Sequence, residues 1–332
     1  MALSHFSTME LQGIRMVYPS HSESNSELMS EDEARNFKEK TGIFQRVVYP
    51  HSNNPIQDYM EQGCREVIQD LGWEKETIAV LVCITQTSDM AYPSIANRLH
   101  GNLELPASCL CFDVNLGCSG YVYGLHLVYS LLASLQASSA NALLCVGDLS
   151  SKFIPPANTG IRALFSDGIS VSGITKTSAK SESWFNLESF GKGAFAIYSK
   201  PHEGGAQMEM DGLEVFKYSA QFVPKNIAQL LSFSHSEMEK LDALVCHQAN
   251  RLINESIRKA LKCPEEKCLY SLDLFGNTSS ASIPATLVAK LPKQRNDLNL
   301  LLSGFGVGFS IASGIITLSS SCKLGVSVRN EN

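Results

Sequence analysis

Short, wholly apolar runs spaced a helix apart constrain this chain more than any other feature. T-I-A-V-L-V-C-I-T, from Thr77, is dense in β-branched residues and apolar on both faces. Such a run suits a strand in a parallel sheet, which is covered on both sides. About a helix later comes C-L-C-F-D-V-N-L-G-C from Cys109, and then A-L-L-C-V-G-D from Ala142. The order returns in the second half as D-A-L-V-C-H-Q-A-N from Asp242, C-L-Y-S-L-D-L-F-G-N from Cys268 and L-N-L-L-L-S-G-F-G-V-G from Leu298. Each middle run carries an Asp (Asp113, Asp273) and then a Gly just before the polar residue that closes it. A duplicated β-α-β-α-β unit is the economical reading, with halves at 1–172 and 173–332.

Other segments fill in the outline. Ser30 reads as the N-cap of a helix to Lys40, after an exposed Ser/Glu-rich loop. Residues Asn54–Leu71 put Ile56, Met60, Cys64, Val67 and Ile68 on one helical face. Polar stretches at Ile174–Glu188 and Pro201–Asp211 read as the inter-half connection and a surface excursion. Beside them, F-S-D-G-I-S-V-S-G-I and G-A-F-A-I-Y-S read as strands.

Composition excludes several classes. A net charge of -6 without a long basic run gives no nucleic-acid footprint. Runs such as Leu143–Val146 and Ala243–Cys246 are too short to span a bilayer, and the N-terminus does not read as a secretory signal. Five of the ten cysteines (Cys83, Cys109, Cys111, Cys145, Cys246) lie in apolar runs, as reduced thiols do. Cys263 and Cys268 flank P-E-E-K, but no second pair completes a zinc pattern. The expectation is a reduced, cytoplasmic protein without a metal.

Three polar residues fall just past strand ends, where open α/β sheets carry their chemistry. They are Cys118, His247 and Asn277. If the halves pack about a pseudo-twofold axis, all three face one crevice. Cys118 opens the helical stretch G-Y-V-Y-G-L-H-L-V-Y-S-L-L-A-S-L, apolar at Val122, Leu125, Val128, Leu131, Leu132 and Leu135. A thiol at a helix start meets unpaired N–H groups and a positive dipole end, which favour thiolate. Gly117 and Gly120 allow a sharp turn and close backbone approach. Each residue also has a structural reading: a packed thiol, a core imidazole, a helix cap. Together, a Cys nucleophile with His and Asn donors suits acyl transfer through a thioester. The glycines of S-G-F-G-V-G-F could present N–H groups to an oxyanion.

These words resemble the β-ketoacyl-acyl-carrier-protein synthase III family of the thiolase superfamily. They are K-T-G-I-F-Q-R at Lys40, A-Y-P-S at Ala91, D-V-N-L-G-C-S-G at Asp113 and F-S-D-G at Phe165. G-L-E-V-F-K at Gly212, H-Q-A-N at His247, G-N-T-S-S-A-S-I-P at Gly276 and G-F-G-V-G-F at Gly304 follow in order. The resemblance implies an α/β fold, a thiolase-like five-layered αβαβα sandwich of two duplicated halves. It implies acylation of Cys118 by an acyl-CoA or acyl-carrier-protein thioester, with no permanently bound cofactor. Decarboxylative Claisen condensation with malonyl-acyl-carrier protein then follows in fatty acid or specialised acyl-chain biosynthesis. His247 and Asn277 would hydrogen-bond the thioester oxygen as it becomes an enolate. Phe305, Gly306, Val307 and Gly308 would build the oxyanion turn and acyl pocket. Tyr92 stands where the family has a pocket-lining phenylalanine that reaches across a homodimer. Lys40, Lys217, Arg251, Arg258, Lys259 and Lys262 would dock the acidic acyl carrier protein or coenzyme A.

Some positions depart from the family. Asn36 replaces an aromatic residue that stacks on the coenzyme A adenine, and Thr159 replaces a flanking arginine. The expected acyl donor is therefore not simply acetyl-CoA, but carrier-bound, larger or polar. Three other readings stay open: an acyltransferase that does not decarboxylate, a subunit of a heteromeric condensing enzyme, and a papain-like hydrolase. The last is disfavoured because its cysteine would lie near the mature N-terminus.

Overall fold

In the computed structural model, residues 2–49, 55–202 and 205–329 are described. The apolar runs become the inner strands of two sheets. The six-stranded sheet runs in the order Lys323–Arg329, Met9–Pro19, Gly168–Lys176, Ala140–Asp148, Ile78–Ile84, Leu110–Val114. The five-stranded sheet runs Ala2–Phe6, Ser183–Ser189, Ser310–Leu318, Leu298–Gly306, Ala243–Cys246. Each sheet holds a parallel core where the sequence reads as continuous apolar strands: Ile78–Ile84 pairs parallel with both Leu110–Val114 and Ala140–Asp148, and Ala243–Cys246 with Leu298–Gly306.

Helices cover both faces of each sheet, which gives the five-layered αβαβα sandwich. Gly120–Ser134 and Ser282–Lys290 lie between the sheets, in one cluster with Val82, Leu144, Leu300 and Leu302. Ile56–Leu71 and Ile95–Leu103 cover the outer face of the larger sheet, with Leu81, Leu143 and Val171 beneath them. Gly212–Ser234 and Arg251–Ala260 cover the smaller sheet over Leu301, Ile311 and Ile315. The central helix is apolar on nearly all sides because it touches two sheets: Tyr121, Val122, Leu125, Val128, Tyr129 and Leu132 are all buried. Each such aliphatic side chain contributes about 1.5–3 kcal/mol by leaving water. Among the described residues no helix is long and apolar enough to cross a membrane.

Several local expectations are corrected. Ile174–Glu188 is mostly strand: Gly168–Lys176 lies in the six-stranded sheet and Ser183–Ser189 in the five-stranded one, so the connection between the sheets is only the short turn between them. The strand Gly168–Lys176 also carries the chain through the expected boundary at 172. We propose that the halves divide after it. The terminal strands cross over: Ala2–Phe6 joins the sheet of the second half, and Lys323–Arg329 that of the first. G-A-F-A-I-Y-S is half 3-10 helix, Gly191–Ala196, before the strand Ile197–His202. That strand pairs with Gly205–Met210, so Pro201–Asp211 is mostly hairpin; residues 203 and 204 lie outside the described residues.

The second copy is not a full repeat. Cys268–Asn277 makes two isolated bridges, Leu244 to Cys268 and Phe165 to Asn277, with a short helix, Leu272–Phe275, between them. The buried side chain of Gln248 replaces the ladder. It donates to the carbonyls of Cys246 and Leu269 and accepts from the Ser271 N–H. The two aspartates differ as well. Asp113 accepts from the N–H groups of Ile95 and Ala96 at 2.7 and 2.8 Å, capping that helix, whereas Asp273 pairs with Lys290 on the surface. The expected helices hold. Ser30 caps Glu31–Thr41 in a reciprocal capping box with Glu33. The helix read from Asn54 is described from Ile56 to Leu71, and Asn54 itself lies outside the described residues.

Candidate active site

Cys118, His247 and Asn277 come from three distant stretches and line one cavity of about 110 Å³, together with Phe305 and Gly306. All three are nearly sealed from bulk water. The central helix begins at Gly120, so Cys118 sits just ahead of it. Gly306 closes over the sulfur. It has φ +153, and a β-carbon there would lie 2.8 Å from Cys118 Cβ and 3.2 Å from Sγ. Only glycine fits both the angle and the approach. Gly304 is where backbones meet, since its β-carbon would lie 2.9 Å from Ser119 Cα. Gly120 instead packs against the Ile84 and Ser280 side chains.

The protonation states follow from burial and neighbours. Burial pushes the Cys118 thiol up to about 12, and the facing Asp148 carboxylate pushes the same way. The expected pull toward thiolate is outweighed: the Ser279 hydroxyl and the backbone at Cys118 favour the anion, but desolvation disfavours it more. Burial pulls His247 down to about 3, so the imidazole is neutral at pH 7.

His247 Nδ1 lies 2.7 Å from Ser282 Oγ. The same hydroxyl accepts from the Gln248 N–H, which leaves its own proton available to Nδ1. We assign the tautomer with the proton on Nε2. Asn277 Oδ1 accepts from the Ser279 N–H at 3.0 Å, leaving the Nδ2 protons to donate. Phe305 stacks edge-on against His247, centroids 5.5 Å apart, and fixes the ring plane. Two neutral donors therefore border the cavity that holds the thiol.

The remaining sequence expectations divide. Val307 lines an adjoining cavity of about 160 Å³ that also reaches Cys118. Gly308 lines neither cavity; it sits at φ +119 in the turn beside Ser310. Tyr92, 85% exposed, stands on the surface and lines neither cavity of its own chain. Lys40, Arg251 and Lys259 are exposed, and Gly42, just past Lys40, packs on the Arg251 side chain. Arg251 approaches Glu265 at 3.5 Å, and Lys217 is exposed and paired with Glu214. Arg258 is not free: Glu255 and the Cys263 carbonyl hold its guanidinium on its own helix. Sequence reasoning missed Ser279, Ser282 and Asp148. The available signal was an acid ending an otherwise apolar run, and serines inside a motif with buried neighbours.

Comparison with known proteins agrees with this geometry. A family profile described as 3-oxoacyl-[acyl-carrier-protein] synthase III matches residues 112–200, and its C-terminal counterpart matches 231–318. A putative 3-oxoacyl-[acyl-carrier-protein] synthase 3 from Campylobacter jejuni is 30% identical over 80% of this chain and 79% of its own. A β-ketoacyl-[acyl-carrier-protein] synthase III from Staphylococcus saprophyticus is 31% identical over 84% and 87%. The chain belongs to the 3-oxoacyl-[acyl-carrier-protein] synthase III family. Members of this family are acyltransferase-type condensing enzymes. The crystal structure of a 3-oxoacyl-(acyl-carrier protein) synthase from Burkholderia xenovorans superposes with TM-score 0.92, covering 98% of this chain and 99% of its own at 27% identity. A synthase III from Pseudomonas aeruginosa gives 0.84 over 94% and 98% at 26%. The family fold accounts for the two packed sheets and the crevice between them.

Proposed function

We propose that this synthase III family member acylates Cys118 from a thioester and condenses the acyl group with malonyl-acyl-carrier protein, releasing carbon dioxide. The observation that carries the reading is the shared cavity: a thiol faces two neutral hydrogen-bond donors with no charged base among them. Decarboxylation of a malonyl thioester builds negative charge on the thioester oxygen. His247 Nε2–H and Asn277 Nδ2–H are suited to bind that oxygen as the enolate forms. The carbanion then attacks the acyl-Cys118 carbonyl, beside Gly306. A positively charged imidazole would protonate the enolate, so the low basicity of His247 favours this role.

The donor is not simply acetyl-CoA. Asn36 and Thr159 are exposed and offer neither an aromatic plate nor a guanidinium to an adenine. Gln86 and Asn115 line the second cavity and hydrogen-bond each other at 3.1 Å, which suits a polar acyl group. Lys40, Lys217, Arg251 and Lys259 form the carrier-protein docking surface. The exposed Tyr92 reaches a partner subunit's pocket in a homodimer. Pure protein is incubated with a panel of acyl-CoAs and acyl-carrier proteins and weighed intact, beside Cys118→Ala. A polar or carrier-bound donor should add its acyl mass to wild type only, and malonyl-carrier protein should then release carbon dioxide. Fast labelling by acetyl-CoA alone would overturn the primer assignment. Acyl transfer to an oxygen or nitrogen acceptor without carbon dioxide would favour the non-decarboxylating reading.

A further inference from the structure

Asp148 is a buried acid that the chemistry above does not use. It ends the strand Ala140–Asp148, every residue of which is buried. Its Oδ1 accepts from Thr85 Oγ1 at 2.9 Å, the Gln86 N–H at 2.7 Å and Thr87 Oγ1 at 3.3 Å. Asp148, Ser279 and Cys118 line the same cavity of about 160 Å³. Ser279 Oγ is 3.9 Å from Cys118 Sγ, and the Ser279 side chain is close enough to Asp148 to favour the carboxylate form of that acid. In the tautomer assigned above His247 does not take the thiol proton: Nδ1 faces the Ser282 hydroxyl, and Nε2 carries the proton used on the enolate.

We propose that Asp148 accepts the proton of the Cys118 thiol through the Ser279 hydroxyl while the sulfur attacks the incoming thioester. The inference rests on the reading of Cys118 as the acylated nucleophile. As the S–H bond breaks, Ser279 Oγ gains that proton and passes its own to Asp148. The sulfur forms the new C–S bond, the donor's C–S bond breaks, and its thiolate leaves. Asp148 returns the proton along the same path, and the free thiol departs. One negative charge is present throughout.

That economy matters in a dry site. Burial pushes both the Cys118 thiol and the Asp148 carboxyl up, so two adjacent anions are disfavoured where one shared anion is not. Other titratable groups around Asp148 are fixed. His247, across the thiol, is neutral. Asp167, next to the strand partner of Asp148, is held by Ser151 and Tyr49 near Lys152. Cys83, farther back in the sheet, is a thiol raised by burial, and Cys145 is one that Cys64 pulls down while Cys83 and burial push it up by more.

Alkylation of Cys118 by iodoacetamide, followed by peptide mass from pH 6 to 10, separates this relay from a bystander charge. A bystander carboxylate only holds the thiol up, so Asp148→Asn would speed alkylation at pH 7. The relay requires the opposite: about tenfold or greater slowing at pH 7 and a rate that climbs tenfold per pH unit, where wild type stays flat from about 6.5 to 8.5. Ser279→Ala keeps Asp148 and its three anchors, and should show the same steep profile. It decides the matter if Asp148→Asn does not fold. Faster alkylation in Asp148→Asn, or a flat profile in Ser279→Ala, overturns the proposal. Carbon dioxide release from malonyl-carrier protein is followed in the same preparations. A wild-type enzyme that shows the flat profile but releases none would remove the condensation reading and leave the relay standing.

Discussion

Ser282 Oγ lies 2.7 Å from His247 Nδ1 and holds the imidazole in the tautomer that donates from Nε2. Ser282→Ala frees Nδ1 to carry the proton and leaves a buried ring in the wrong state. Malonyl decarboxylation should fall about tenfold to a hundredfold, while acylation of Cys118 stays near wild type. Equal losses in both half-reactions would indicate general damage instead.

Because His247 is held down to about 3, the decarboxylation rate should show no falling limb near pH 6.5 as the solution is acidified. The same group also affects stability. In the unfolded chain an ordinary imidazole binds a proton below about 6.5, and the native one does not. The unfolded state therefore gains protons first, and the native state loses stability as pH falls from about 6.5 toward 3. Between pH 6.5 and 5 this amounts to ~2 kcal/mol. Urea unfolding of His247→Gln should lack that share of the decline; parallel curves for the two proteins would contradict it.

Gly306 cannot take a side chain. Gly306→Ala meets the Cys118 β-carbon at 2.8 Å and an unfavourable φ together. A loss of about 1–3 kcal/mol from backbone strain, plus displacement of the sulfur, should lower acylation at least tenfold. Intact-mass labelling and thermal melts measure the two effects separately.

Asp113 serves the fold rather than the reaction. Asp113→Ala leaves the Ile95 and Ala96 N–H groups without their carboxylate. The expected cost is about 1–2 kcal/mol by urea unfolding, with unchanged acylation once folded.

Charge reversal at Arg251 and Lys259 together should raise KM for carrier-bound donors about tenfold and steepen nothing for the matching coenzyme A ester. Reversing Arg258, already tied to Glu255 and the Cys263 carbonyl, should instead weaken the helix and the protein. A carrier effect from Arg258 alone would revise the docking surface.

Ile78–Ile84, Ala140–Asp148 and Leu298–Gly306 could be read directly, because a strand covered on both faces must be apolar at every position. Cys268–Asn277 has the same appearance and is not a strand. The Gln248 amide, with backbone groups of Leu244, Leu164 and Ser166, satisfies its backbone without a ladder, and no local pattern announces that. Cys118 and His247 were legible as residue types just past strand ends; Asn277 was legible as a type, but it follows the short helix Leu272–Phe275 instead of a strand. Ser282 and Asp148 were not, since a serine or an acid acquires its role only from what it faces.

The sequence by itself determined the buried strands, the helices between the sheets and the identity of the thiol, imidazole and carboxamide, because these depend on local periodicity and composition. Tertiary structure alone decided that they meet, which ring nitrogen carries the proton, and that the thiol rests protonated. Those outcomes are set by desolvation and by hydrogen-bond partners that lie far away along the chain.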